Sequence, residues 1–440
     1  PNLAGGVVNI DSTGGATIVN DNLNGLIQSG GFFTINTNGG AQSQLTSLGT
    51  GVYNNQGTGG GIIFNVASGS NATADVLVSA GGGFAITKNG TGKVLFTGAT
   101  NVNGIFAING GTVEFGGSSA PTLTNTAYTI TNNGTLSLNS TADVTISENM
   151  TGTGVITKNN LGTLTLNGSG NTYNGSTTVS GGTLHLGGNI SSSALTVNSG
   201  GVISVGTDST ITTVNKVNAA SITLNGGSGY AVTIGNVTSS VAGTDYDQLT
   251  ATGALTFNNT AANPFTIYLN GTPAGWSNSG NYSWTILSGA SQTGFGAGNL
   301  TLDFSSFGIT GGNRTGTWAF ANPSGGNITL SYSAVTGVSW DGGSGNWTDA
   351  YSAGVRGFTA SNPATDNNLY FSGAAGGTVT NNIANGTLSS VNFITFNSTA
   401  GAYTLNATTG AAGLAGGTPL TVKGDIINNA NSTQTIGMNL

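Results

Sequence analysis

Short runs of alternating polar and apolar side chains dominate this chain. Thr163, Leu164, Thr165 and Leu166 alternate strictly, and Leu184 and Leu186 flank His185. Upstream, Val94 and Phe96 flank Leu95, while Val113 and Phe115 flank Glu114. A period of two sends successive side chains to opposite faces, so each run predicts a β-strand with one face turned inward. Leu95 interrupts the polar set, which predicts a strand covered on both sides at that point. Runs such as GTLSLNS, SITLNGG and TPLTVKGDI continue the pattern, punctuated by Gly–Gly, Asn–Gly and Ser–Gly pairs. Those pairs admit the positive φ of tight corners. Helices have little place in such a chain.

The runs recur in register. Residues 86–117 align with 156–188: Lys88 matches Lys158, Gly92 matches Gly162, Gly98 matches Gly168 and Asn101 matches Asn171. After a one-residue insertion, Gly110–Gly111 match Gly181–Gly182. Leu164 to Leu184 is twenty residues and Val94 to Val113 nineteen, the length of one coil of a parallel β-helix. A repeat of this kind implies stacked, equivalent units. A β-sandwich also uses short strands and Gly-rich turns, but it does not give aligned repeats. The pattern therefore predicts an all-β, right-handed parallel β-helix (a β-solenoid).

Gly162–Gly188 resembles the autotransporter-associated β-strand repeat of bacterial passenger domains and very large surface proteins. The residues that carry the resemblance are Lys158, Gly162, Leu164, Leu166, Gly168, Asn171, Tyr173, Gly175, Thr177, Val179, Gly181, Gly182 and Leu184. The earlier copy is degenerate, with Val102 where Tyr173 stands and Ile105 in place of Ser176. The resemblance implies a scaffold, carried to the outside of a bacterial cell, and names no ligand.

Three stretches follow from these patterns: 1–243, a solenoid holding both repeats; 244–336, rich in aromatics; and 337–440, where strands restart as a further solenoid module. All five Trp lie between Trp276 and Trp347. Wider coils or a small sandwich, filled by those rings, are expected across 244–336. Segment 338–350 resembles the Trp–x–Gly…Asn–Trp opening of a fresh module. Neither terminal stretch shows the polar cap that solenoids use. Open strands recruit other chains, so 420–440 is expected to meet 1–35 of a second copy, or both to continue within a longer polypeptide.

Composition narrows the function classes. Only 5% of the 440 residues are charged, Gly contributes 77, Pro 7 and Cys none, and the formal charge is −7. Seven basic residues cannot neutralise a phosphate backbone, which excludes nucleic acid as a partner. No apolar run approaches the roughly 18 residues of a membrane-spanning helix. The absence of Cys suits an exported protein and many cytosolic ones alike.

Chemistry-bearing side chains are few. His185 could serve a Ser–His–acid triad, but it occupies the slot that Glu114 fills in the earlier copy, the slot of an outward strand residue. Asp245 and Asp247 fall on one side of a strand if Tyr246 falls on the other, suiting paired carboxylates or a cation. A solvated turn explains them more simply. Asp341 and Asp349 lie among glycines without the spacing of a calcium loop, and Trp340 and Trp347 read as anchors of a turn. The remaining aromatics suit either sugar stacking or core filling. We expect no catalytic, cofactor or metal site. The leading expectation is a non-enzymatic, extracellular rod or self-assembling filament on a bacterial surface. An adhesin that binds glycans through 244–350 comes second, and a β-helix polysaccharide lyase or glycosidase third.

Overall fold

In the computed structural model, only strand backbones are described up to residue 61, and side chains from Ile62 onward. Beyond that point, residues 75–84, 98–103, 118–128, 207–212, 278–279, 310–316, 335–336, 341, 350–357, 359–362, 364–366, 373, 385–386, 398–399, 409–410, 412 and 414–418 lie outside the described set, apart from the backbones of strands within them. The chain forms two units, each a stack of short strands. The first holds Pro1–Gly275, Ser283–Gly308 and Phe320–Leu330; the second holds Trp276–Tyr282, Ile309–Ala319 and Ser331–Leu440.

In the first unit the chain winds as a parallel β-solenoid. Its early coils have three faces. Face one stacks Val7–Ser12, Phe32–Thr37, Gly61–Val66, Ala85–Asn89, Phe106–Ile108, Ile130–Asn132 and Met150–Thr151. Face two begins at Thr17–Asn20 and runs through Lys93–Phe96, Thr112–Gly117, Thr135–Ser140 and Val155–Lys158. Face three passes through Val144–Ile146, Thr163–Leu166, Gly182–Leu186 and Gly201–Val205. Pairing is parallel with little slippage: Val94 opposes Val113, Val113 opposes Leu136, and Leu136 opposes Ile156. Each of these four is fully buried. Such a column stabilises the coil stack by roughly 1.5–3 kcal/mol per large side chain. Phe96 stacks on Phe115 at 5.4 Å and meets Phe64 edge-on at 5.8 Å. Leu95, on the outer side, is only half-buried rather than fully covered.

Face one stops at Met150–Thr151, and from there the chain alternates between faces two and three. The segment that closes face one comes from the second repeat. The N–H groups of Thr172 and Tyr173 donate to the Met150 carbonyl, that of Asn174 to Gly152, and Asn171 Oδ1 accepts from the Met150 N–H. The Tyr173 ring fills the interior behind them. The two sequence repeats are therefore not equivalent in space, contrary to the expectation of equivalent stacked units. Ala85–Asn89, which holds Lys88, lies on face one, whereas Val155–Lys158 lies on face two. The reason is arithmetic. Ile86 to Met150 spans three coils in 64 residues, but the repeats are offset by 70, so the second copy has advanced by one further face.

Coils then widen. Val217 opposes Leu249 and Leu249 opposes Leu287, separations of 32 and 38 residues against 19 for Val94 and Val113. The strands lengthen to 10, 11 and 12 residues. Trp284, Phe257 and Phe265 are buried here, as befits wider coils filled by aromatics.

In the second unit, Gly337–Trp340, Asn368–Phe371, Ile394–Phe396 and Ile426–Asn428 stack in parallel, with Phe358–Thr359 antiparallel at one side. Its core holds Trp340, Trp347, Phe358, Phe371, Phe396 and Tyr403, with Phe371 and Phe396 stacked at 5.2 Å.

Candidate functional site: repeat corners, ladders and buried polar groups

The repeat motif acts at corners. Lys88 closes its strand on face one, and its ammonium donates to the carbonyls of Asn89 and Gly90 at 2.8 Å and of Gly110, one coil on, at 3.1 Å. Lys158 does the same at its own corner, donating to Asn160 and, one coil on, to Gly181 at 3.1 Å. Each amine thus ties a turn to the turn stacked on it. Both side chains are buried, and desolvation lowers each pKa to about 8. Asn132 stands where a lysine would in the related sequence ITNNG, donating from Nδ2 to the Val155 carbonyl at 3.0 Å. Sequence reading found the lysines as motif letters and missed their task. The available signal was an identical charged residue at matching strand ends in a chain with so few charges.

The second glycine of the Gly110–Gly111 and Gly181–Gly182 pairs completes the corner. Gly111 has φ +65° and Gly182 φ +62°. A Cβ would lie 2.2 Å from the Gly92 carbonyl oxygen at Gly111 and 2.3 Å from that of Asn160 at Gly182. Backbone of successive coils approaches too closely there for any side chain.

Side-chain amides run along the coil axis. Asn109 Nδ2 donates to Asn89 Oδ1, and Asn89 Nδ2 to Asn65 Oδ1, each at 2.8 Å. A second ladder joins Asn258 to Asn225 at 3.0 Å, Asn225 to Asn198 at 2.7 Å and Asn198 to Ser180 Oγ at 3.0 Å. Behind the second repeat, Tyr173 Oη meets Thr177 Oγ1 at 2.8 Å, which meets Ser193 Oγ at 2.9 Å, which donates to the Gly175 carbonyl at 2.7 Å.

The candidate reactive groups do not assemble. His185 is fully buried. It is on the outer side of its strand, in register with Thr165 and Ser204, but Gly206 packs over it closely enough that a Cβ would sit 2.8 Å from its Cε1. Its Nδ1 lies 2.8 Å from Ser204 Oγ.

Asp245 and Asp247 face different partners. Asp245 accepts from Ser239 Oγ and from the Val241 N–H at 2.6 Å, bonds that lower its pKa. Asp247 is no solvated turn residue. It is fully buried, accepts from the Thr233 and Asn215 N–H groups at 2.7 and 2.9 Å, and burial raises its pKa to about 7. Tyr230, buried beside it, is pushed well above the usual phenol range by burial and then by the Asp247 charge.

Asp349 caps its own turn, accepting from the Asn346 N–H at 2.7 Å, while Asp341 lies outside the described residues. Among the described residues, no cluster of three or more His, Asp or Glu could hold a metal ion. No helix there is long and apolar enough to cross a membrane.

The tryptophans divide. Trp284, Trp340 and Trp347 are fully buried. Trp276 and Trp318 are half-buried and stack on each other at 5.8 Å, with Tyr332 4.8 Å from Trp276. These rings pack against one another.

No curated protein matches the chain's sequence. Residues 86–115 and 156–186 match the family described as Passenger-associated-transport-repeat. Those residues hold Lys88 and Lys158 and the glycines of both corners, so both segments are similar to that repeat.

Proposed function

We propose that this chain is a non-enzymatic structural part of a bacterial passenger, displayed outside the cell as a β-solenoid rod. The observation that carries this reading is where the polar groups are used. Lys88 and Lys158 bind turn to turn, and the asparagine ladders bind coil to coil. Asp245, Asp247 and Asp349 are consumed by backbone N–H groups. Function then resides in the stack: the coils hold length and stiffness, and near-absent charge makes the contacts insensitive to salt. Rods joining end to end, 420–440 of one copy against 1–35 of the next, are the filament form of the same reading.

The experiment is protease shaving of intact cells of the source bacterium with an antibody to this chain, followed by electron microscopy of the released or retained material. Surface-exposed rods support the proposal, and chains running beyond one copy's length support the filament form. Protein protected inside intact cells overturns it.

A further inference from the structure

The outer side of face three carries a groove. It crosses six neighbouring strands, from Thr163–Leu166 to Leu300–Phe307. Its volume is about 290 Å3. Three register rows line it: Thr163, Thr183 and Val202; Ala231 and Tyr268; Asn270 and Ser306. Strands in a sheet lie about 4.8 Å apart, so the lining extends about 24 Å along the coil axis.

A ligand that uses both ends of this lining is itself an extended chain. Among the described residues, none that lines the groove is acidic or basic. The adjacent acid, Asp303, opposes Tyr268 in the sheet, and its carboxylate accepts from the Ser305 N–H at 2.7 Å. Tyr268 contributes a half-buried ring. Gly229 lets that ring lie across the neighbouring strand, since a Cβ there would come within 2.4 Å of Tyr268 Cε2.

We infer that this groove binds a neutral polysaccharide chain. Sugar rings present apolar faces to an aromatic ring and hydroxyls to Thr, Asn and Ser side chains. An anionic polymer meets no counter-charge among the described lining residues. A peptide strand needs an open sheet edge, and these strands already have neighbours on both sides within the sheet, apart from the last. The volume sits at the floor of the range for ligand pockets, roughly 300–1,000 Å3, so each ring binds weakly and affinity grows with chain length. This inference is independent of the structural reading, because a rod can stand with or without a ligand on its face.

The test is isothermal titration of the full chain with soluble neutral glucan, mannan, xylan and galactan, with alginate and heparin as anionic comparators. At least one neutral polymer is expected to bind, with longer chains binding more tightly. Tyr268→Ala should weaken binding by about tenfold. Tyr268→Phe should retain it, and Thr183→Trp should block the groove from its other end. Trp276→Ala, which alters a different aromatic cluster, should leave binding unchanged. Circular dichroism checks that each variant is folded, and Thr183→Trp serves as a second probe if Tyr268→Ala is not. The inference is overturned if no neutral polymer binds, if the anionic polymers bind in preference, or if affinity survives both groove substitutions.

Discussion

At Gly111 and Gly182 a single hydrogen atom lets two coils stack. Both have positive φ and a carbonyl oxygen of the preceding coil where a Cβ would go. Gly182→Ala is expected to cost more than the ~1–3 kcal/mol of backbone strain alone, because the clash adds to it. Gly69→Ala separates the two effects: its φ is +75° with nothing within 4 Å, so it should show the strain cost alone. Denaturant midpoints of the two variants check this.

Titration gives a second residue-scale test. Asp247 has a folded pKa of about 7 against an ordinary value of 3.8. Its contribution is therefore fully present below pH 3.8 and is lost as pH rises toward 7, on the order of 4 kcal/mol across the window. Stability of the wild type should fall from pH 4 to 7, and Asp247→Asn should flatten that slope. Lys88 and Lys158 act in the opposite sense. Their folded pKa of about 8 lies below the ordinary 10.5, so between pH 8 and 10.5 the unfolded chain binds more protons and stability rises with pH. Lys158→Met should remove part of that rise.

Elements join these residues into coils, and here the sequence was legible unevenly. Alternation in 163–166 and 184–186 gave the strands and their inward residues correctly, since Leu164, Leu166, Leu184 and Leu186 are all buried. It also placed His185 on the correct side of its strand. What period two cannot encode is a later segment crossing that side, and Gly206 does so 21 residues downstream. Asn171 and Tyr173 were visible as motif letters, but their task depends on Met150, one coil earlier. Tyr173→Phe should cost about 1–3 kcal/mol by leaving Thr177 short of a partner. Tyr173→Ala should cost roughly 3–5 kcal/mol by opening a cavity where face one closes. Thermal melts of both variants give the order. In the ladder, Asn225→Ala cuts two axial bonds and should lower stability by about 1 kcal/mol per bond.

For the whole molecule, the repeats mark corners and leave the choice of face to coil length. That is why two closely aligned copies occupy different faces, and why a repeat count alone misjudges the cross-section. The same construction explains the scarcity of charge: polar side chains are spent on neighbouring coils. Electron microscopy of the native protein on intact cells, after protease shaving has established which side of the envelope it occupies, tests the central claim most directly. The expected result is protease-sensitive material outside the cell, with strand rungs about 4.8 Å apart along a rod. Protein sheltered within the cell, or particles without axial rungs, would contradict it.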